Sequence, residues 1–222
     1  MRTHGPLHVD VFVEPMFQEN AYLLWADAGP DAWIVDPGLP PHSDNIAAAL
    51  RAGRLVPRSV LLTHAHVDHI AGVVALCQAF PELKLWAPRA EQHMLTDPVA
   101  NLSAPFGCEV VTPPADRLIA PGDQLNLGSL AWFALDVSGH SPGGTAYYCP
   151  AASIVLSGDA LFAGNIGRTD FPDGSEARLL SNIRRNLFAL PPETVLYSGH
   201  GPSSTIGEER DTNPHFVGDA EE

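Results

Sequence analysis

Apolar runs of strand length recur along the chain, separated by turn-forming residues and by stretches with helical periodicity. Residues 7–13, 21–25 and 32–35 read as strands, the last ended by Asp36-Pro37-Gly38. Ser43 is placed to cap a helix with Ile46, Ala49 and Leu50 on one face and Gly53 near its end. Residues 58–63 then read as a buried strand. Residues 70–80 read as one helix with Val73, Val74 and Cys77 inward, stopped before Pro81.

The second half alternates more loosely. Residues 83–86 form a short strand pattern, and 89–95 reads as a helix. Residues 124–137 read as a hairpin turning at Gly128-Ser129, and 145–149 pairs with 153–157 through Pro150. Ser175 is placed to cap a helix with Leu179, Leu180, Ile183 and Leu187 inward, and 195–198 is a last strand. Interleaved strands and helices in two similar halves predict an α/β protein with sheets inside and helices outside. The patterns do not fix the strand order. Without a linker or a fixed-period repeat, residues 1–222 read as a single domain.

Composition narrows the class. Hydrophobic residues make up 45% and charged residues 17%, which excludes a disordered or fibrous chain. The formal charge of −14 repels phosphate backbones and argues against a nucleic-acid partner. Cys77, Cys108 and Cys149 form no CxxC pair, so they read as buried free thiols of a reducing compartment. The first residues carry no apolar signal core, and no stretch is long enough to span a bilayer. The expectation is a cytoplasmic protein with no membrane partner; the oligomeric state is not legible.

Chemistry concentrates in Thr63-His64-Ala65-His66-Val67-Asp68-His69, which follows a strand and opens a helix. Imidazole and carboxylate together suit divalent zinc, iron or manganese. His64 and His66, two apart on extended chain, point the same way. Asp68 and His69 enter the helix and face a second point. His140, Asp159 and His200 each follow a strand-like run and sit beside glycine, where α/β sites assemble. Ser141 and Ser157 lack the setting of a serine nucleophile. His4, His8, His42, His93 and His215 lie outside the pattern and are expected not to bind metal.

The HxHxDH segment with its distant His, Asp and His resembles the metallo-β-lactamase superfamily. Within it the chain is similar to the short glyoxalase II-like (hydroxyacylglutathione hydrolase-like) branch and to the persulfide dioxygenases. The likeness runs from Asn20-Ala21-Tyr22 through Val35-Asp36-Pro37-Gly38 to Gly207-Glu208-Glu209-Arg210 and Asn213-Pro214.

The resemblance implies a four-layer αββα sandwich and two divalent metals, zinc foremost. It assigns His64, His66 and His140 to one metal and Asp68, His69 and His200 to the other, with Asp159 bridging. Asp68 and Asp159 would serve catalysis, in which a shared hydroxide attacks a small-molecule acylthiol such as S-lactoylglutathione. Only residues 201–222 follow His200, too few for the separate helical domain with which longer glyoxalase II proteins hold glutathione. Arg168 matches a basic position of that family and is a candidate either to bind substrate or to pair with Asp170 and shape the loop; Phe171, at the end of the same stretch, is a candidate to line the substrate pocket or only to pack. The dioxygenase likeness, carried by Gly167–Phe171 and the tail, instead implies one iron on His64, His140 and Asp159.

Overall fold

A computed structural model describes residues 1–217. The first sheet has seven strands in chain order: β1 (Arg2–His4), β2 (Leu7–Val13), β3 (Asn20–Ala26), β4 (Asp31–Val35), β5 (Val56–Leu61), β6 (Lys84–Pro88) and β7 (Arg117–Ile119). Strands β1 to β4 pair antiparallel, and β4 to β7 pair parallel. The second sheet collects β8 (Gln124–Leu127), β9 (Leu130–Asp136), β10 (Thr145–Cys149) and β11 (Ile154–Gly158). A two-stranded ribbon, β12 (Leu161–Phe162) with β13 (Asn165–Ile166), stands apart, and β14 (Val195–Ser198) and β15 (Ser204–Thr205) complete the second sheet.

Burial explains the layers. Inner faces of both sheets meet through Tyr22, Leu24 and Trp33 on one side and Trp132, Tyr147 and Leu156 on the other. The outer face of the first sheet, with Ala21, Leu23 and Ile34, is covered by Ile46 and Leu50 of α1 (His42–Gly53). Leu76 of α3 (Val73–Ala79) adds to the same layer, beside the short α2 (Val67–Ile70). The second sheet's outer face packs on Leu179 of α4 (Glu176–Asn182) and Ile206 of α5 (Ile206–Thr212). Strand β3 is therefore buried on both faces and reads as a continuous apolar run. The four-layer αββα expectation holds. No helix among the described residues is long and apolar enough to cross a membrane.

Four local expectations need correction. Helix α1 starts one residue before Ser43, with Pro41 at the cap position and the Ser43 side chain buried. The helix expected over 70–80 is broken between α2 and α3, because the Gly72 N–H bonds the Pro37 carbonyl (2.6 Å) and a side chain there would strike that oxygen. Residues Arg89–Leu95 form a 3₁₀ helix. Its last carbonyls bond outward, Met94 to the Asn101 amide (3.0 Å) and Leu95 to the Thr112 N–H (2.8 Å). Of the three cysteines only Cys149 is buried, and Cys108 is exposed.

Cross-sheet hydrogen bonds stitch the ends that carry the loops. Tyr147 Oη donates to the Leu62 carbonyl (2.8 Å), and Thr145 N–H to that of Thr63 (2.9 Å). In return Tyr22 Oη (2.5 Å) and Asn20 Nδ2 (3.0 Å) donate to the Ser198 carbonyl. The loops after β5 and β14 are thereby held by the opposite sheet.

Candidate metal centre

Chain ends from both sheets converge on one spot. The segment after β5 carries His64 and His66, and His66 stays extended (ψ 153°) as it enters α2, where Asp68 and His69 lie. The β9–β10 connection supplies His140, the end of β11 supplies Asp159, and the end of β14 supplies His200. Parallel pairing of β11 with β14 sets Gly158 beside Ser198, which brings Asp159 and His200 side by side. A side chain at Gly199 would collide with Asp159 Oδ1 and His69, so glycine is required for this approach.

Two triads result. Ligand atoms of His64, His66 and His140 lie within 4.8 Å of one another, as do those of Asp68, His69 and His200. Asp159 faces both: its Oδ2 is 3.6 Å from His140 Nε2 and 3.4 Å from His200 Nε2, and its Oδ1 is 3.4 Å from His69 Nε2. A third grouping, Asp36 with His64 and His69, meets the same distance. Asp36, however, is occupied: its carboxylate accepts from Thr63 N (2.8 Å), Thr63 Oγ1 (2.6 Å) and His69 Nδ1 (3.1 Å).

The residues fit divalent ions. His64 Nε2, His69 Nε2 and Asp159 Oδ1 are buried with no hydrogen-bond partner. Each such atom costs about 1–3 kcal/mol if left unpaired, and a cation in the shared space satisfies all of them. The other ring nitrogen of most of these imidazoles is already held: His64 Nδ1 by Thr63 Oγ1 (3.1 Å), His69 Nδ1 by Asp36, His140 Nδ1 by the Arg168 carbonyl (2.8 Å) and His200 Nδ1 by the Phe17 carbonyl (2.9 Å). Such contacts orient a ring so that its free nitrogen faces the ion.

Electrostatics divides the two triads. Burial pushes the His64 imidazolium well down and that of His66 to about 3, so both rings are neutral donors. Burial opposes charge on His69 too, but the Asp159 and Asp68 carboxylates outweigh it and raise its pKa well above the ordinary value. His200, opposed by burial and favoured by Asp159 and Asp68, is raised to about 10.

The family model of the metallo-beta-lactamase superfamily matches residues 15–200. The chain belongs to this superfamily. It is 39% identical to the probable metallo-hydrolase YqgX of Bacillus subtilis, across 90% of this chain and 93% of the relative. It is 30% identical to the hydroxyacylglutathione hydrolase GloC of Haemophilus influenzae, across 94% and 97%. Among solved structures, the BLEG-1 B3 metallo-beta-lactamase superposes with a TM-score of 0.88 at 37% identity, covering 96% of this chain and all of the other. TTHA1623 in a di-iron-bound form gives 0.80 at 34%, covering 93% and 99%.

The roles of two residues that hold this site escaped the sequence reading. Asp36 stood as a strand stop and within the Val35–Gly38 likeness, with no role assigned to it. Glu91 lay in the 3₁₀ segment, yet it is fully buried and accepts from Ala65 N (2.5 Å), Ser141 Oγ (2.5 Å) and Gly143 N (2.7 Å). One carboxylate thus clips the His64–His66 strand to the His140 loop. Burial raises its pKa against those three bonds. Nothing in the local pattern around Glu91 signals this role. The substrate candidates divide. Phe171 stands with its ring 5.3 Å from His66 and 5.8 Å from His140. Arg168 turns outward, bonding both Asp170 oxygens at 2.6 Å with its guanidinium 4.3 Å over the Phe171 ring.

Proposed function

We propose that the protein is a two-metal hydrolase that cleaves the thioester of a small acylthiol. The carrying observation is the pair of triads flanking one buried carboxylate. His64, His66 and His140 would hold one ion and Asp68, His69 and His200 the other, with Asp159 placed between them. Zinc suits the donors best, with iron and manganese also matched. Two divalent ions there supply Lewis acidity toward a carbonyl and bring the pKa of water toward neutrality.

The chain's residues do the rest. Asp36, Thr63 and the carbonyls of Phe17 and Arg168 fix the tautomers. Asp68, with 23% of its side chain open and lining the cavity, is the carboxylate placed to take a proton there. Neither Ser141 nor Ser157 competes as nucleophile, since the Ser141 hydroxyl is given to Glu91 and that of Ser157 to the Leu161 carbonyl (2.9 Å). The names of YqgX and GloC support hydrolysis, and the di-iron neighbour supports two metal positions. Free thiols favour a reducing compartment, and we place the protein in the cytoplasm.

The rival reaction, oxygenation of a persulfide at one iron on His64, His140 and Asp159, leaves His66, Asp68, His69 and His200 assembled without use. Metal analysis with a thioester assay separates the two. Two ions per chain with hydrolysis is expected. One iron per chain, with oxygen consumed on glutathione persulfide, overturns the proposal.

A further inference from the structure

The cavity above the metal centre has a chemical character that the ligands do not explain. Its volume is about 630 Å³, within the range of sites that enclose a whole small molecule. His66, His140, Asp159 and His200 border it, and the remaining wall is mainly apolar, drawn from separate segments: Met16, Phe17, Leu102, Phe106, Ile166 and Phe171. The rings of Phe17 and Phe106 meet edge to face at 6.0 Å, closing a rim between two loops distant in sequence. Met16 and Phe106 are 79% and 64% exposed. A contiguous exposed apolar surface of this kind marks a binding site more often than a bare surface.

Charge points the same way. Arg168 is the one cationic Arg or Lys side chain among the residues that line the cavity. Its guanidinium is committed to both oxygens of Asp170 and lies on the Phe171 ring. A glutathione thioester would bring two carboxylates to a wall with no free guanidinium, on a chain of formal charge −14. An acyl chain needs no such partner.

Resting on the proposed thioesterase reading, we infer that this wall is an acyl-chain site: the substrate is a thioester with an uncharged, apolar acyl group of several carbons. Recognition comes from burying that chain against Phe17, Phe106 and Phe171, and the thiol portion contributes little.

Thioethers, which cannot be hydrolysed, test this by calorimetry on the metal-loaded protein. The probes are S-methyl, S-butyl and S-hexyl derivatives of glutathione and of the neutral N-acetylcysteamine. Kd is expected to fall about fourfold per added methylene in both series, and to differ less than about fourfold between the two thiols at equal chain length. Phe106→Ala and Met16→Ala, both at exposed positions, should flatten the chain-length dependence and leave metal content unchanged. Affinity set by the glutathione portion and flat with chain length overturns the inference, as does no binding by any probe. A dimer that Phe106→Asp dissociates, with thioether affinity unaltered, assigns the rim to a second copy and also overturns it. Parallel thioester assays keep the two readings apart. Hydrolysis without chain-length dependence removes the acyl site and leaves the hydrolase. Chain-dependent binding without any hydrolysis does the reverse.

Discussion

The two triads of the metal centre are built from similar residues and held by different physics. His64, His66 and His140 are nearly buried imidazoles; burial keeps His64 and His66 neutral, and Glu91 ties the two loops that carry the triad. Asp68, His69 and His200 form a charged set, in which carboxylates keep His69 and His200 protonated in the metal-free chain and about a fifth of the Asp68 and His200 side chains is open. One triad is preorganised for an ion by packing. The other is held together by ion pairs that an ion must replace. For the proposed two-metal site the contrast predicts a tightly held first ion and a second whose binding displaces protons.

Asp159 is where the two triads meet, and its loss is expected to have the largest effect. Asp159→Ala leaves two cations without the carboxylate between them. We expect loss of at least one ion per chain and a fall in thioesterase turnover of about 10³-fold or more, with circular dichroism unchanged. Retention of both ions with full turnover would remove the bridging role.

Glu91 tests the first triad alone. Glu91→Gln keeps the volume but sets an amide N–H₂ against one of its N–H or O–H donors. Affinity at the His64–His66–His140 position should drop about 10–100-fold, while the Asp68–His69–His200 position keeps its ion. After dialysis against a weak chelator the variant should therefore retain one ion where the native protein retains two. Equal loss from both positions would make Glu91 a general fold residue.

The contrast between Glu91 and the histidines also marks how much the sequence reveals. The seven residues that meet in and between the two triads are legible because imidazoles and carboxylates cluster at strand ends, where ordinary packing has no use for them. The layers are legible because burial on one face or two leaves period-2 or continuous apolar runs, as in β2 and β3. Asp36 and Glu91 are not legible. Each is a lone carboxylate in a turn or a short helix, and its role exists only through partners 26 to 52 residues away. The break at Gly72 is hidden for the same reason, since it is made by the carbonyl of Pro37. Cys108 defeats a rule of averages: its thiol lies on the loop bordering the cavity, outside any layer.

A smaller effect separates the triads by pH in the metal-free protein. His200, raised to about 10, and His69, raised as well, bind protons more tightly folded than unfolded. Their stabilisation is complete below about pH 6.5 and is lost as pH rises toward about 10. His64 and His66 are depressed, the latter to about 3, so the unfolded chain binds more protons below about pH 6.5 and stability falls on acidification. The metal-stripped protein should melt highest near neutral pH and lose roughly 5 °C on each side. His200→Gln should flatten the alkaline limb and His66→Gln the acid limb. A stripped protein whose melting temperature ignores pH from 5 to 9 would contradict the division.

The smallest effect is expected at Arg168, where sequence alone left two roles open. Its guanidinium is exposed and bidentate to Asp170, also exposed, so solvent screens the pair and little stability rests on it. The contribution of position 168 to the centre comes from its backbone, whose carbonyl accepts from His140 Nδ1 at 2.8 Å. Truncating the side chain keeps that carbonyl. Arg168→Ala should therefore leave metal content unchanged, move the melting temperature by no more than about 2 °C, and change KM for a glutathione thioester less than about threefold. Asp170→Ala should behave alike, since it removes only the same solvent-screened pair and does not move His140. If Asp170→Ala lowers KM for the glutathione thioester tenfold and Arg168→Ala raises it, the guanidinium binds substrate once released, and the cavity is less apolar in use than its wall suggests. Loss of metal in Arg168→Ala would instead mean that the stacked guanidinium holds Phe171 and the His140 ring in place, joining the outer loop to the first triad.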